Sequence, residues 1–352
     1  MRASIKFTFA TVLAACGFLA ATLAFAQSPA LNAQDAEAAK HQQQQQIEQP
    51  LNNQPVWSLI RSGRPQVTQV RGRETNVLIQ SGGQTWRALR NSQVSVWGGW
   101  AIVAVFLAIL AFYAWRGAIP LHEPRTGRRI LRFGGWERMV HWTTATAFVI
   151  LAISGVIVGF GTSALLPAMG HTVFSWLAQV AKTLHNLVGP LFIVCTIIIF
   201  FTFVRKNFWK SYDFAWLKTL GGMVSGKEVP SGKFNAGEKL WFWGGVLFLG
   251  IVVGVSGLVL DFPNFDQTRN TMQIADIIHL AGACLFIMAS LGHIYMGTIG
   301  MVGAYDAMKT GYVDETWAKE HHEYWYNDVK AGRVDAPVDA APRGSAARPR
   351  PA

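Results

Sequence analysis

Hydrophobic and polar positions in this chain fall into long blocks and not into the short alternations of a soluble domain. Five apolar stretches, near Val96–Trp115, Met139–Phe160, Thr183–Val204, Leu240–Leu260 and Gln273–Gly297, each approach the roughly 20 residues needed to cross a bilayer. No strand-like alternation runs through them. Only a helix or a closed barrel satisfies its own backbone in lipid, so each stretch is predicted to be a transmembrane helix. Trp97, Trp100, Trp115, Trp142, Trp241 and Trp243 lie near the ends, where amphipathic rings prefer the membrane interface. The expected fold is an all-α integral membrane protein, with a four-helix bundle over 139–300 and one extra N-terminal transmembrane helix over 96–116.

The polar blocks divide the rest of the chain. Residues 1–26 carry Arg2 and Lys6, an apolar run, and Ala24-Phe25-Ala26 before Gln27, the three parts of a secretory signal. The mature N-terminus is then expected outside the cytoplasm. Leu13-Ala14-Ala15-Cys16 offers a competing lipid-attachment reading, and an uncleaved anchor is a third. From Gln27 to about Gln54 the chain is rich in Ala, Gln and Asn, a composition expected to form a flexible tether. Val77–Gln80, Ser81–Gln84 and Thr85–Ala88 read as strand, turn, strand, a small β-hairpin that completes an external segment over 27–95. Residues 117–138 form a basic connection, 301–330 a C-terminal segment after the last span, and 331–352 an expected disordered tail.

Composition agrees with the blocks: 51% of the 352 residues are hydrophobic and 14% charged, outside the usual soluble range. The net charge of +11 would suit nucleic acid, but the basic residues flank apolar runs, so membrane topology explains them and no nucleic-acid partner is expected. Connections Arg116–Arg138 and Arg205–Lys239 hold almost all of the loop Lys and Arg, whereas the other two hold only Lys182 and Arg269. The positive-inside rule puts the basic pair in the cytoplasm and the N-terminus outside, in agreement with the signal, as for a multi-pass protein of a bacterial inner membrane. Beyond the signal, Cys195 and Cys284 remain. That excludes a disulfide framework, four-cysteine iron-sulfur sites and covalent Cys-x-x-Cys-His haem attachment.

Candidate chemistry then rests on histidine. Four of nine histidines, His141, His185, His279 and His293, fall in the apolar stretches, where an ionisable group is costly and points to function. Any one of them alone could be a core histidine bonded to a neighbouring helix. Jointly they are ordered: His279 and His293 are 14 residues apart on one helix, close to four turns and roughly 21 Å of rise. With the predicted topology, His141 and His293 form a cytoplasmic pair, and His185 and His279 an external pair. This is the geometry of two bis-histidine haems stacked across a bilayer, each iron six-coordinate and suited to electron transfer. Gly189, Gly282, Gly292 and Gly297 are candidates to make room for a macrocycle. His41, His122, His171, His321 and His322 lie in polar segments and are read as non-ligands; Asp276, one turn before His279, has no evident role.

The run from Arg138 to Val329 resembles the gamma subunit, the cytochrome b556 component, of membrane-bound respiratory formate dehydrogenase. The resemblance rests on Glu137-Arg138-Met139-Val140-His141-Trp142, Leu184-His185 with Gly189-Pro190, Lys233-Phe234-Asn235-Ala236-Gly237-Glu238-Lys239, His279, His293-Ile294-Tyr295-Met296, and Gly311-Tyr312-Val313-Asp314 through His321-His322. It implies a four-helix dihaem cytochrome b with two haem b groups on the four histidines. Its partners would be an iron-sulfur (beta) subunit and a molybdenum- or tungsten-containing catalytic (alpha) subunit that oxidises formate. It also implies reduction of menaquinone or ubiquinone near the cytoplasmic haem, beside His293 and Asn235, Ala236 and Gly237. The external segment and extra helix depart from the shortest members, and docking of a partner is the one role suggested for them.

Three other classes share parts of this pattern. Cytochrome b subunits of hydrogenases or of thiosulfate and polysulfide reductases use the same haem logic with other partners. A histidine-relay transporter would need inverted repeats or broken midplane helices, and a passive anchor would need none of the four histidines.

Overall fold

A computed structural model describes residues 82–339 apart from 223–225, 227–228 and 266, with a few isolated positions between 44 and 79. The predicted signal, most of the tether and residues 340–352 lie outside the described residues. Five helices are long and apolar enough to cross a membrane: Thr85–Arg116, Gly135–Ala164, Leu166–Lys206, Ala236–Asp261 and Arg269–Gly300. They are called here the first to fifth spans. Each contains one of the predicted apolar stretches, and the helices run beyond the lipid-length core.

The hairpin is different from its expectation. Leu78–Ile79 (β2) does pair, but with Gln66–Val67 (β1), antiparallel, and Thr85–Ala88 is helical. Extending an existing helix by a turn costs less than starting a separate strand pair, because propagation needs no new nucleus. The first span therefore begins about three turns before its apolar core.

Small residues set how closely the spans approach. Only Leu165 separates the second and third spans, and the chain turns again at Gly170, whose φ of 76° is in the left-handed region that favours glycine. A Cβ at Gly254 would lie 3.1 Å from Ile193, and one at Gly282 3.0 Å from Val252, so the third, fourth and fifth spans meet over glycine. Gly282 is thus a packing residue and not a space-maker. The extra first span packs along the fifth, where a Cβ at Gly98 would lie 2.8 Å from the Cys284 sulfur. Arg90 Nε donates to Asp276 at 2.9 Å at one end of that contact, which gives Asp276 a role: it ties the added helix to the last one.

At the other end, where the basic connections lie, the polar segments fold into a cap. Strand Arg129–Leu131 (β3) is central, with Tyr312–Asp314 (β4) and Val338–Asp339 (β5) antiparallel on either side. Helices Glu315–His321 and Glu323–Lys330 cover it, and Ile130, Phe133, Val313, Trp317, Ala318 and Trp325 form its buried core. Val338–Asp339 thus belongs to the cap and not to a disordered tail. His322 is buried, with Nδ1 donating to the Gly232 carbonyl at 2.7 Å.

Beneath the cap, Lys239 and Asp213 are joined at 2.7 Å, 2% and 0% exposed respectively. Asp213 also accepts from the Lys210 amide at 2.6 Å, so the pair binds helix Ser211–Lys218 to the start of the fourth span. Removing one partner of such a pair strands a buried charge at a cost of about 3–5 kcal/mol, whereas replacing both by apolar groups is close to neutral. Asp213→Ala is expected to lower the thermal unfolding midpoint in detergent sharply. Asp213→Leu with Lys239→Met is expected to recover most of it, and a double variant as weak as the single would contradict this account.

Burial lowers the His322 pKa well below its ordinary value, with Arg132 nearby adding to the effect. A histidine held neutral in the fold but free to charge when unfolded stabilises the fold above pH about 6.5 and loses that contribution as pH falls. Hydrogen exchange over 312–330, corrected for intrinsic rates, should therefore speed up between pH 7 and pH 5. His322→Asn should flatten that dependence.

Candidate functional site

The structure brings the four histidines together in two pairs and no other way. His141 from the second span faces His293 from the fifth, ring centres 6.3 Å apart; His185 from the third faces His279, also from the fifth, at 6.0 Å. The fifth span supplies one ring to each pair, and the pairs are separated by the four turns between His279 and His293.

The length of each gap can be set against the geometry of metal ligation. An imidazole nitrogen binds a first-row metal at about 2.0 Å, zinc giving the reference value. A corner of a five-membered ring with bonds of about 1.33 Å lies about 1.1 Å from its centre. Two imidazoles on opposite sides of one metal therefore have centres about 6.2 Å apart, against the observed 6.3 and 6.0 Å. Among the described residues no group of three or more His, Cys, Asp or Glu could hold a metal by itself. A pair of axial imidazoles is the donor set required when a porphyrin supplies the other four nitrogens. An added Cβ would meet nothing within 4 Å at Gly189, Gly292 or Gly297, so the space beside these three positions is open. His293 is densely surrounded and still keeps accessible surface, as a residue lining a cleft does.

The pair remote from the cap is held by a feature repeated on two helices. Ser154 Oγ lies 2.9 Å from His185 Nδ1, and Ser256 Oγ 3.2 Å from His279 Nδ1. Each serine already donates its single proton to the carbonyl four residues back, Ile150 at 2.7 Å and Val252 at 2.6 Å. The carbonyl three residues back also bonds each ring: Val253 at 3.0 Å to His279 Nδ1, and Leu151 to His185. A carbonyl can only accept, so His279 Nδ1 carries the proton; the matching serine contact at His185 fits the same tautomer, which leaves the Nε2 lone pair of both rings free for a metal. The following residues are glycines. A Cβ at Gly155 would come within 3.2 Å of His185 Cε1, and one at Gly257 within 3.1 Å of His279 Cε1.

The pair beside the cap is held by rings. His293 stacks on Trp241 at 4.7 Å with planes 11° apart, and Trp142 meets His141 edge-on at 5.1 Å. His141 Nδ1 is buried with no protein partner. Trp241 thus faces inward, unlike Trp97, Trp100 and Trp115, which are exposed; Trp243 too is buried, donating to the Asn207 carbonyl at 2.9 Å. Between the two pairs lies a layer of Phe148, Phe192 and Phe286, with ring centres 4.8 to 6.1 Å apart. Each phenylalanine follows a histidine of its own helix by seven residues, two turns, and so shares its face.

Asn235, Ala236 and Gly237 start the fourth span beneath the cap. Asn235 Oδ1 accepts from the Glu238 amide and Glu238 Oε2 from the Asn235 amide, both at 2.9 Å, a reciprocal helix cap. Ala236 is fully buried, and a Cβ at Gly237 would come within 2.8 Å of Trp216. Glu238 binds Arg132 at 2.9 Å, and Arg132 lies over the Trp317 ring at 5.0 Å. Burial pushes the Lys233 pKa down to about 8, opposed by Glu137, whose carboxylate is 3.8 Å away. The basic end of the bundle thus gathers titratable groups within reach of water, near His141 and His293. His122 pairs with Glu320 at 3.5 Å, and His321 and His322 are in the cap core, so none of these three joins the two pairs.

Sequence reasoning did not find Ser154, Ser256, Gly155, Gly257 or the Phe layer. The available signal was a Ser-Gly dipeptide in each of two apolar runs, and phenylalanine at seven-residue spacing from each histidine.

Comparison with known proteins agrees with this geometry. Residues 132–311 match the family model described as prokaryotic cytochrome b561. The chain is 33% identical over 210 residues to the cytochrome b556(fdo) subunit of formate dehydrogenase from Escherichia coli, covering 57% of this chain and 93% of the relative. It is 30% identical over 208 residues to the nitrate-inducible formate dehydrogenase cytochrome b556 subunit of the same organism, covering 58% and 93%. With the formate dehydrogenase cytochrome b556 subunit of Haemophilus influenzae, identity is 27% over 213 residues. The matched region holds all four paired histidines, and family, spans and ring geometry converge: the chain belongs to the prokaryotic cytochrome b561 family, as a multi-pass membrane cytochrome b.

Proposed function

We propose that this chain is the cytochrome b subunit of a respiratory formate dehydrogenase, anchoring the complex and carrying electrons through two b haems to quinone. The observation that carries the reading is the pair of ring separations, 6.3 and 6.0 Å, at two depths of one helix bundle. His141 and His293 would hold an inner haem near the cytoplasm. His185 and His279 would hold an outer haem near the periplasm. The distribution of Lys and Arg supports an orientation with the basic cap in the cytoplasm of a bacterial inner membrane.

The partners are an iron-sulfur subunit, which delivers electrons at the outer end, and a molybdenum- or tungsten-containing subunit, which oxidises formate. When bound, the haems supply one-electron carriers with no open coordination position. The protein's own tasks are to orient four imidazoles, keep water from the apolar layer between them, and bring protons to quinone at the inner end. Menaquinone or ubiquinone would bind near His293 and the Asn235-Ala236-Gly237 turn, where Glu238, Arg132 and Lys233 lie close to the cytoplasmic surface. Moving electrons inward works against the membrane potential by about 2.3 kcal/mol per charge per 100 mV, and conserves energy as a proton gradient if the redox drop is larger.

The test is a dithionite-reduced minus oxidised visible spectrum with pyridine haemochrome quantitation on the purified chain and on four single His→Ala variants. Two b haems per wild-type chain are expected. His141→Ala and His293→Ala should each lose one, and His185→Ala and His279→Ala the other. A folded wild-type chain expressed with ample haem and containing none would overturn the reading.

A further inference from the structure

The two histidine pairs are built differently, and the difference bears on direction. At the outer pair each Nδ1 faces a serine hydroxyl and each ring also bonds a backbone carbonyl; at the inner pair, among the described residues, His141 Nδ1 has no hydrogen-bond partner and His293 is held by stacking on Trp241. Building on the haem reading above, we infer that Ser154 and Ser256 are matched positioning residues that lock the outer ligands in one tautomer and hold the outer haem at a lower reduction potential than the inner one.

The bland alternative is that each serine merely satisfies itself on its own helix, as hydroxyls in apolar helices commonly do. Three features go beyond that. The serines occupy equivalent places on two helices, each opposite the histidine of the next span. Each is bonded to its carbonyl four residues back at 2.6 to 2.7 Å, so its lone pairs and not its proton face the ring. Each is followed by a glycine whose missing side chain lets the ring approach.

The consequence follows from ligand chemistry. An Nδ1–H shared between two oxygens makes Nε2 a more basic donor, and such outer hydrogen bonds both fix the ring and tune the metal. A more basic axial ligand stabilises the oxidised iron over the reduced, lowering the potential. The inner rings, one stacked on indole and one without a hydrogen bond at Nδ1, lack that push. An electron entering at the outer end therefore runs downhill to the inner end, where quinone is proposed to wait.

The experiment is a potentiometric titration of the haem spectrum in wild type, Ser154→Ala, Ser256→Ala, the double alanine variant, and Ser154→Thr with Ser256→Thr. The outer haem is identified as the component missing from His185→Ala. Since the carbonyl acceptors remain, each alanine should shift the outer equilibrium toward reduction about threefold. The double variant should shift it about tenfold, or about 59 mV for one electron, with the inner haem unmoved and threonine restoring most of the shift. Loss of the outer haem in alanine but not threonine variants would equally support the hydroxyls. Two haems with unshifted potentials, a shift in the inner haem alone, an outer haem that is the higher of the two, or haem loss in both substitution series would overturn the inference and leave the haem reading intact. A wild-type chain without haem would overturn both.

Discussion

An imidazole in lipid has two ring nitrogens and no water, and everything else in this molecule is arranged around that constraint. At the outer pair each Nδ1 is answered by a serine, and at His279 by the Val253 carbonyl as well, which frees Nε2 in a known direction. Nε2 in turn needs a partner, and the ring across the gap is too far for a hydrogen bond but at the distance set by a shared metal. The helices must approach closely enough to hold those gaps. Hence glycine is found at Gly155 and Gly257 against the rings, and at Gly254 and Gly282 between neighbouring spans.

From the same constraint comes the division of labour between the two ends. The pair remote from the cap is fixed by backbone and hydroxyl groups. At the inner end a polar cap takes over, with a buried core of its own, a buried Lys239–Asp213 pair and the Glu238–Arg132 contact below Trp317. The Phe148, Phe192 and Phe286 layer keeps the two ends apart with apolar surface. Such a layer excludes water while leaving the distance between the two pairs short, as the proposed electron path between them requires.

Much of this was legible in the chain before its structure. Span number follows from block length and hydropathy, and the pairing of His141 with His293 and His185 with His279 follows from depth alone, because antiparallel helices bring matched depths together. What was not legible depended on contacts across helices. Trp241 has the position of an interface tryptophan but turns inward onto His293, which a single helix's pattern does not reveal. Asp276 gains meaning only when the first span lies beside the fifth. The cap was hidden because its strands are two or three residues each, too short for any periodic signal, and the central one pairs with two segments that follow it by more than 180 residues. Thr85–Ala88 misled because four residues of mixed polarity fit a strand locally, while the apolar helix that follows absorbs them.

Low-temperature electron paramagnetic resonance of the oxidised chain, purified with its haem, is the most direct test of paired imidazole ligation. Two low-spin ferric signals of equal spin count, one abolished by His293→Ala and the other by His279→Ala, would agree with two six-coordinate centres on the histidines named here. A dominant high-spin signal in the wild type, or a single low-spin centre per chain, would contradict it.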